Sequence, residues 1–322
     1  MKTNPNIFKG YFTGLFSGIT WGLDTVLIGV AMAMTPFVEH PILLLGGTFI
    51  CSMMHDAFAA VWMTIIMGAK GRLKELTKAI RTRDGLFCAL GALFGGPFAM
   101  TFYMLAIAKG GPALTATVTA CYPLLGSAMA VVILKEKMTL RAWLGLLICV
   151  MGIVYIGYSP DGGESSHVLG GIFLAAMAAI GWATESVVCG YGMKAGKVDP
   201  QMALLIREIT STVAYILVVV PIMIGGYKNM LDGSMAIFND LPTWTLLCGT
   251  ALIGMISFFN WYTSIDTIGA AKALCLNVTY AFWSVLFTFL FIGSELSVNI
   301  IIGSIMVVSG IFIATLITKK TK

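Results

Sequence analysis

Apolar residues in this chain come in long unbroken runs, and polar residues gather in the short gaps between them. The runs cover about 10–34, 43–68, 85–108, 113–134, 142–158, 168–192, 201–226, 243–265, 269–292 and 298–318. Most have the length a helix needs to cross a bilayer, about 20 residues. A spanning barrel would need short strands of alternating polarity. Ile216–Val220 followed by Ile222–Ile224 does not alternate. Helices are therefore predicted, because a helix satisfies its backbone groups within one segment and lipid offers them no partner. The expected fold is an all-α integral membrane protein with ten transmembrane helices. The gaps are too short for a soluble domain. A cleavable signal peptide is not expected, since the first run is too long and no cleavage site leads into a soluble stretch.

Composition agrees with this. The chain is 58% hydrophobic and 11% charged, with mean hydropathy +0.91. A soluble chain carries roughly 25% charged residues. The seven cysteines all fall in predicted helices and form no CxxC pair, so they read as small apolar packing residues.

The basic residues predict orientation. With a cytoplasmic amino terminus, the inner side collects Lys2, Lys9, Lys70, Arg72, Lys74, Lys78, Arg81, Arg83, Lys135, Lys137, Arg141, Lys194, Lys197, Lys272, Lys319, Lys320 and Lys322, which is 17 of the 20. Lys109 and Lys228 fall outside, and Arg207 lies within the seventh run. The inside bias of Lys and Arg predicts both termini in the cytoplasm of a cell-membrane protein. The net charge of +5 is then a topology signal and gives no reason to expect a nucleic-acid partner.

The chain also repeats itself. Trp21-x-x-Asp24 returns as Trp182-x-x-Glu185, and Ala113-Leu114 with Val118-Thr119 returns as Ala273-Leu274 with Val278-Thr279. Glu136, Tyr103 and Gly110 answer to Glu295, Tyr262 and Gly269, all at a common offset of 159 to 161. Residues 1–158 and 168–322 read as two five-helix repeats joined by the polar linker 159–167. Five is odd, so the second repeat must insert upside down. Such inverted repeats place a substrate site at the midplane between halves. Pro97, Pro112, Pro123 and Pro221 lie in or beside the runs and are candidate kinks.

Ten helices, the five-plus-five repeat and the glutamates after runs four and nine resemble the drug/metabolite transporter superfamily, EamA type. Ile19-Thr20-Trp21-Gly22-Leu23, His55-Asp56, Gly96-Pro97, Trp182-Ala183-Thr184-Glu185-Ser186-Val187, Leu204-Leu205-Ile206-Arg207 and Leu276-Asn277-Val278-Thr279-Tyr280 with Trp283 look closer still to the LicB-type choline transporters. That resemblance implies a proton-coupled importer of choline or a related quaternary amine, held by an aromatic cage and a carboxylate. The matching positions are Trp21, Trp182 and Glu185, with Tyr262, Asn277 and Tyr280 as neighbours. Asp24 and Glu208 are not shared features.

The residues support the same chemistry. A quaternary ammonium donates no N–H, but ring faces attract it by about 0.5–2 kcal/mol each, and a carboxylate balances its charge. An acid inside a membrane is costly and marks function by default. Asp24 could instead be glue between helices. His55-Asp56 offers a proton relay or a structural hydrogen bond. Tyr103 and Asn260 are further inward-facing candidates. Arg207 and Glu208 are adjacent and point about 100° apart, so each is expected to pair with another helix and serve gating or structure. No phosphate loop, metal-ligand cluster or nucleophile motif occurs, so neither enzyme activity nor a cofactor is expected; the resemblance implies H+ as the coupling ion. The rival readings are an exporter of amino acids, metabolites or cationic drugs on the same scaffold and a receptor that binds without transport.

Overall fold

A computed structural model describes residues 5–157, 168–194, 196, 198–293 and 298–315. The linker 159–167, Glu295, Lys2, Lys197 and the tail lysines lie outside the described residues. Among the described residues the regular structure is helical, with no strand. Eight of the described helices are long and apolar enough to cross a membrane. These are α1 (Ile7–Met32), α2 (Pro41–Ala69), α3 (Arg83–Gly111), α4 (Leu114–Ile133), α6 (Leu169–Lys194), α7 (Pro200–Ile224), α8 (Leu241–Ile268) and α9 (Ala270–Ile292). The fifth and tenth runs form shorter apolar helices, α5 (Leu140–Ile156) and α10 (Val298–Ala314). Three short helices, Thr35–Glu39, Leu73–Ala79 and Tyr227–Phe238, occupy stretches read as loops. Leu44, Leu45, Val132, Phe173, Leu217 and Ile222 point outward from the bundle, as lipid-facing positions should.

Packing repeats between the halves. α1 lies on α8 as α6 lies on α3, and α1 touches α9 as α6 touches α4. α5 packs on its own counterpart α10. The two run antiparallel, since Gly145 approaches Gly310 while Gly152 approaches Gly303. Small residues let these backbones come close, which stands in for the hydrophobic drive that lipid removes. Along α1, Gly10, Gly14, Gly18 and Gly22 form one stripe at helical spacing. The first two meet Thr267 and Ser264 of α8, and the last two meet Thr279 and Trp283 of α9.

Two features of the repeat shape the interior. The turns from α3 to α4 and from α8 to α9 pass through Gly111 (φ 79°) and Gly269 (φ 91°), a region that glycine enters without a Cβ penalty. Glu136 closes the second turn. Its carboxylate accepts from the backbone N–H groups of Ala270 (2.8 Å) and Ala271 (2.9 Å), the unsatisfied donors at the positive end of α9. Pro97 lies inside a π-helical turn, Phe94–Phe98, and Pro221 follows another, Tyr215–Val219. A proline removes one helical donor, and the widened turn absorbs the mismatch.

One end of the bundle is tied by ions. Arg72 Nη2 bonds Asp199 Oδ2 at 2.5 Å and Glu75 Oε2 at 2.6 Å, joining the end of α2 to the start of α7. Burial pushes the Asp199 carboxyl up, but the hydrogen bond and charge of Arg72 and the backbone N–H groups of Met202 and Gln201 together hold the group below the usual carboxylate range.

Candidate functional site

Between the halves lies a cavity of about 140 Å³, walled by α1, α2, α3, α6, α7 and α8. Trp21 and Asp24 enter from α1, and Trp182 and Glu185 enter from α6. The echoed pairs thus face one space, because residues three apart share a helix face. The Trp21 ring packs on Phe258 at 4.9 Å between centroids, with Tyr280 behind it at 6.3 Å. Trp182 is backed by Tyr103 at 5.4 Å and Tyr122 at 5.7 Å. The cavity runs from this aromatic floor along Ile28, Met32, Thr48, Met100 and Met104. It therefore reaches toward the end of the bundle opposite the Arg72–Asp199 pair.

One wall is a buried charge network centred on Arg207. Its guanidinium donates to Glu208 Oε2 (2.9 Å), Asp56 Oδ1 (3.1 Å) and Glu185 Oε1 (3.4 Å). It also lies 4.1 Å from the centroid of the Phe258 ring. His55 Nε2 is 3.0 Å from Asp24 Oδ1, and its Nδ1 is 3.7 Å from Asp56 Oδ1. Ser211 donates to Asp56 Oδ2, and Tyr262 donates to Glu185 Oε1 at 3.1 Å. All four carboxyl groups, Asp24, Asp56, Glu185 and Glu208, are buried. They face one guanidinium and one imidazole. Acids therefore outnumber bases, and a buried excess of negative charge must be balanced by protons or by a bound cation.

Space for these acids comes from two glycines 159 positions apart. A Cβ on Gly95 would strike the Glu185 carboxylate, and one on Gly254 would meet His55 at 2.6 Å and Asp24 Oδ1 at 3.0 Å. Both bonds to Glu185 end on Oε1, while Oε2 lies over Gly95. Gly95→Ala should therefore displace the carboxylate without changing any charge. Overpacking costs about 1–3 kcal/mol, so the stability of the folded protein in detergent is expected to fall by that amount. Thermal unfolding of both proteins in detergent would check this, and an unchanged midpoint would refute it.

The other predicted residues are placed differently. Tyr262 is fully buried and touches Glu185 from outside the cavity wall. Asn277 accepts from Tyr122 and donates to Ser17, linking α9 to α4 and α1. Asn260 donates to Ile256 O of its own helix. Tyr103, Tyr280, Asn260, Asn277 and Tyr262 do not line the cavity. Arg207 and Glu208, expected to pair away from each other, are in direct contact. Their long side chains converge although their Cα–Cβ bonds diverge. The lining residues Arg207, Tyr215, Phe258, Gly95 and Gly96 were not among the predicted site residues. Arg207 had one signal, as a cation in the middle of an apolar run.

A bundle of apolar helices in two matching halves, with a charged pocket between them, defines a membrane transporter of small solutes. The EamA-like transporter family model matches residues 8–158 and again 169–316, so the chain belongs to that family. Protein LicB of Haemophilus influenzae is 24% identical over 279 residues, covering 86% of this chain and 87% of that protein. A solved crystal structure 18% identical in sequence superposes with a TM-score of 0.72, covering 95% of this chain and 96% of its own. That likeness shows a shared fold.

Proposed function

We propose that this transporter imports choline or a similar quaternary amine, driven by protons, through alternating access of two inverted five-helix repeats. The observation that carries the reading is the acid excess around a cavity floored by Trp21, Trp182 and Phe258. Ring faces hold a cation that has no N–H to donate, and Glu185 supplies the counter-charge. Asp24, His55 and Asp56 form a string beside it, joined to Glu185 through Arg207 and suited to carrying the coupling proton. With ten spans and both termini cytoplasmic, the cavity reaches outward and the Arg72–Asp199 pair closes the inner end. The sequence resemblance to LicB-type choline transporters points the same way.

The test is uptake of radiolabelled choline into proteoliposomes, with and without an imposed inward proton gradient. Uptake above empty vesicles and accelerated by the gradient is expected. Betaine, carnitine and arginine as competitors define the substrate class. Choline flux equal to that of empty vesicles sinks the reading.

A further inference from the structure

We propose that Arg207 is a built-in competitor for the substrate cation: its guanidinium occupies the Phe258 ring and Glu185, and a bound cation displaces it toward Glu208 and Asp56. This rests on the reading of the cavity as an organic-cation site. Three observations support it. First, the guanidinium makes the two contacts an organic cation would seek, a ring face at 4.1 Å and the Glu185 carboxylate. Second, its bond to Glu185 is the longest of its three carboxylate contacts, 3.4 Å against 3.1 and 2.9 Å. It can give up that bond and keep the other two. Third, Glu208 is 1% exposed, does not line the cavity and has Arg207 as its hydrogen-bonding side-chain partner. It is a fixed dock for the displaced charge that the substrate never reaches.

The device has a transport consequence. In the empty carrier Arg207 sits on Glu185, so that carboxylate keeps a cationic partner while the site changes faces. In the loaded carrier the substrate takes over that balance. Without the resident cation, return of the empty carrier becomes the difficult step, while exchange of one substrate for another never requires it.

Two substitutions should therefore shift affinity in opposite directions. Arg207→Gln removes the competitor, and choline and tetramethylammonium should bind about tenfold more tightly. Glu208→Gln removes the dock and holds Arg207 on Glu185, so both should bind about tenfold more weakly. Either change corresponds to about 1.4 kcal/mol. The double variant keeps the net charge of the cluster and should bind as tightly as Arg207→Gln alone. Binding is read by tryptophan fluorescence in detergent, since Trp21 and Trp182 line the cavity. In proteoliposomes Arg207→Gln should keep choline–choline exchange and lose net uptake.

A purely structural Arg207 would weaken binding in all three variants and depress exchange and net uptake together, and that result overturns the proposal. If the Arg207 variants do not fold, Glu208→Gln decides: unchanged affinity overturns it. If the wild-type protein binds choline but the opposite shifts are missing, this inference fails and the substrate reading stands. If the wild-type protein binds neither cation, both fall.

Discussion

Glu185→Gln is expected to weaken choline binding about a hundredfold while leaving a folded, monodisperse protein. The amide has the shape of the carboxylate. Its oxygen can still accept from Tyr262 and from Arg207 Nε, the two donors that now reach Glu185 Oε1. What disappears is one negative charge from the cavity wall. Removing one partner of a buried charge pair costs about 2–5 kcal/mol, and about 1.4 kcal/mol is tenfold. A hundredfold loss lies within that span. The rings contribute less: Trp182→Leu removes one ring face, worth about 0.5–2 kcal/mol, and should cost several-fold. The check is isothermal titration with choline alongside size-exclusion chromatography. Unchanged affinity in a folded Glu185→Gln protein would remove Glu185 from the site.

The ranking of acid over ring reflects what the sequence made visible. A carboxylate in an apolar run stands out, and so does a tryptophan three positions before it. Both echoed pairs line the cavity. Helix periodicity also identified inward faces, but a face does not report depth. Tyr262, Tyr280, Asn277 and Tyr103 are on inward faces and lie one layer behind the wall. Phe258 is one of 19 phenylalanines, with nothing in its neighbours to distinguish it. Gly95 and Gly254 matter only because acids from other helices need the room, and a single helix does not announce that. The repeat also hid the hub. Positions 46–48, where a counterpart of Arg207 would fall, hold Gly46, Gly47 and Thr48. Internal symmetry therefore does not point to the guanidinium that organises the network.

That asymmetry extends to the two echoed acids and leads to a second large effect, on coupling. Glu185 is held by Arg207 and Tyr262, whereas Asp24 is held by His55 at 3.0 Å. Equivalent positions in the repeat have thus come to face different partners. One faces a guanidinium, which keeps its charge, and the other faces an imidazole, a side chain able to take up and release a proton. Asp24→Asn keeps the size of the side chain and its hydrogen bond to His55 but removes a titratable group from the Asp24–His55–Asp56 string. The acceleration of choline uptake by an inward proton gradient is expected to vanish, leaving the rate seen without a gradient. Choline–choline exchange should stay within about twofold of wild type, because each half-cycle begins and ends with the substrate cation balancing Glu185. Measuring both fluxes in one proteoliposome preparation separates lost coupling from lost function, since a damaged fold lowers the two together. Gradient-driven accumulation at the wild-type level in Asp24→Asn would take the proton away from this string and leave Asp24 as glue between α1 and α2.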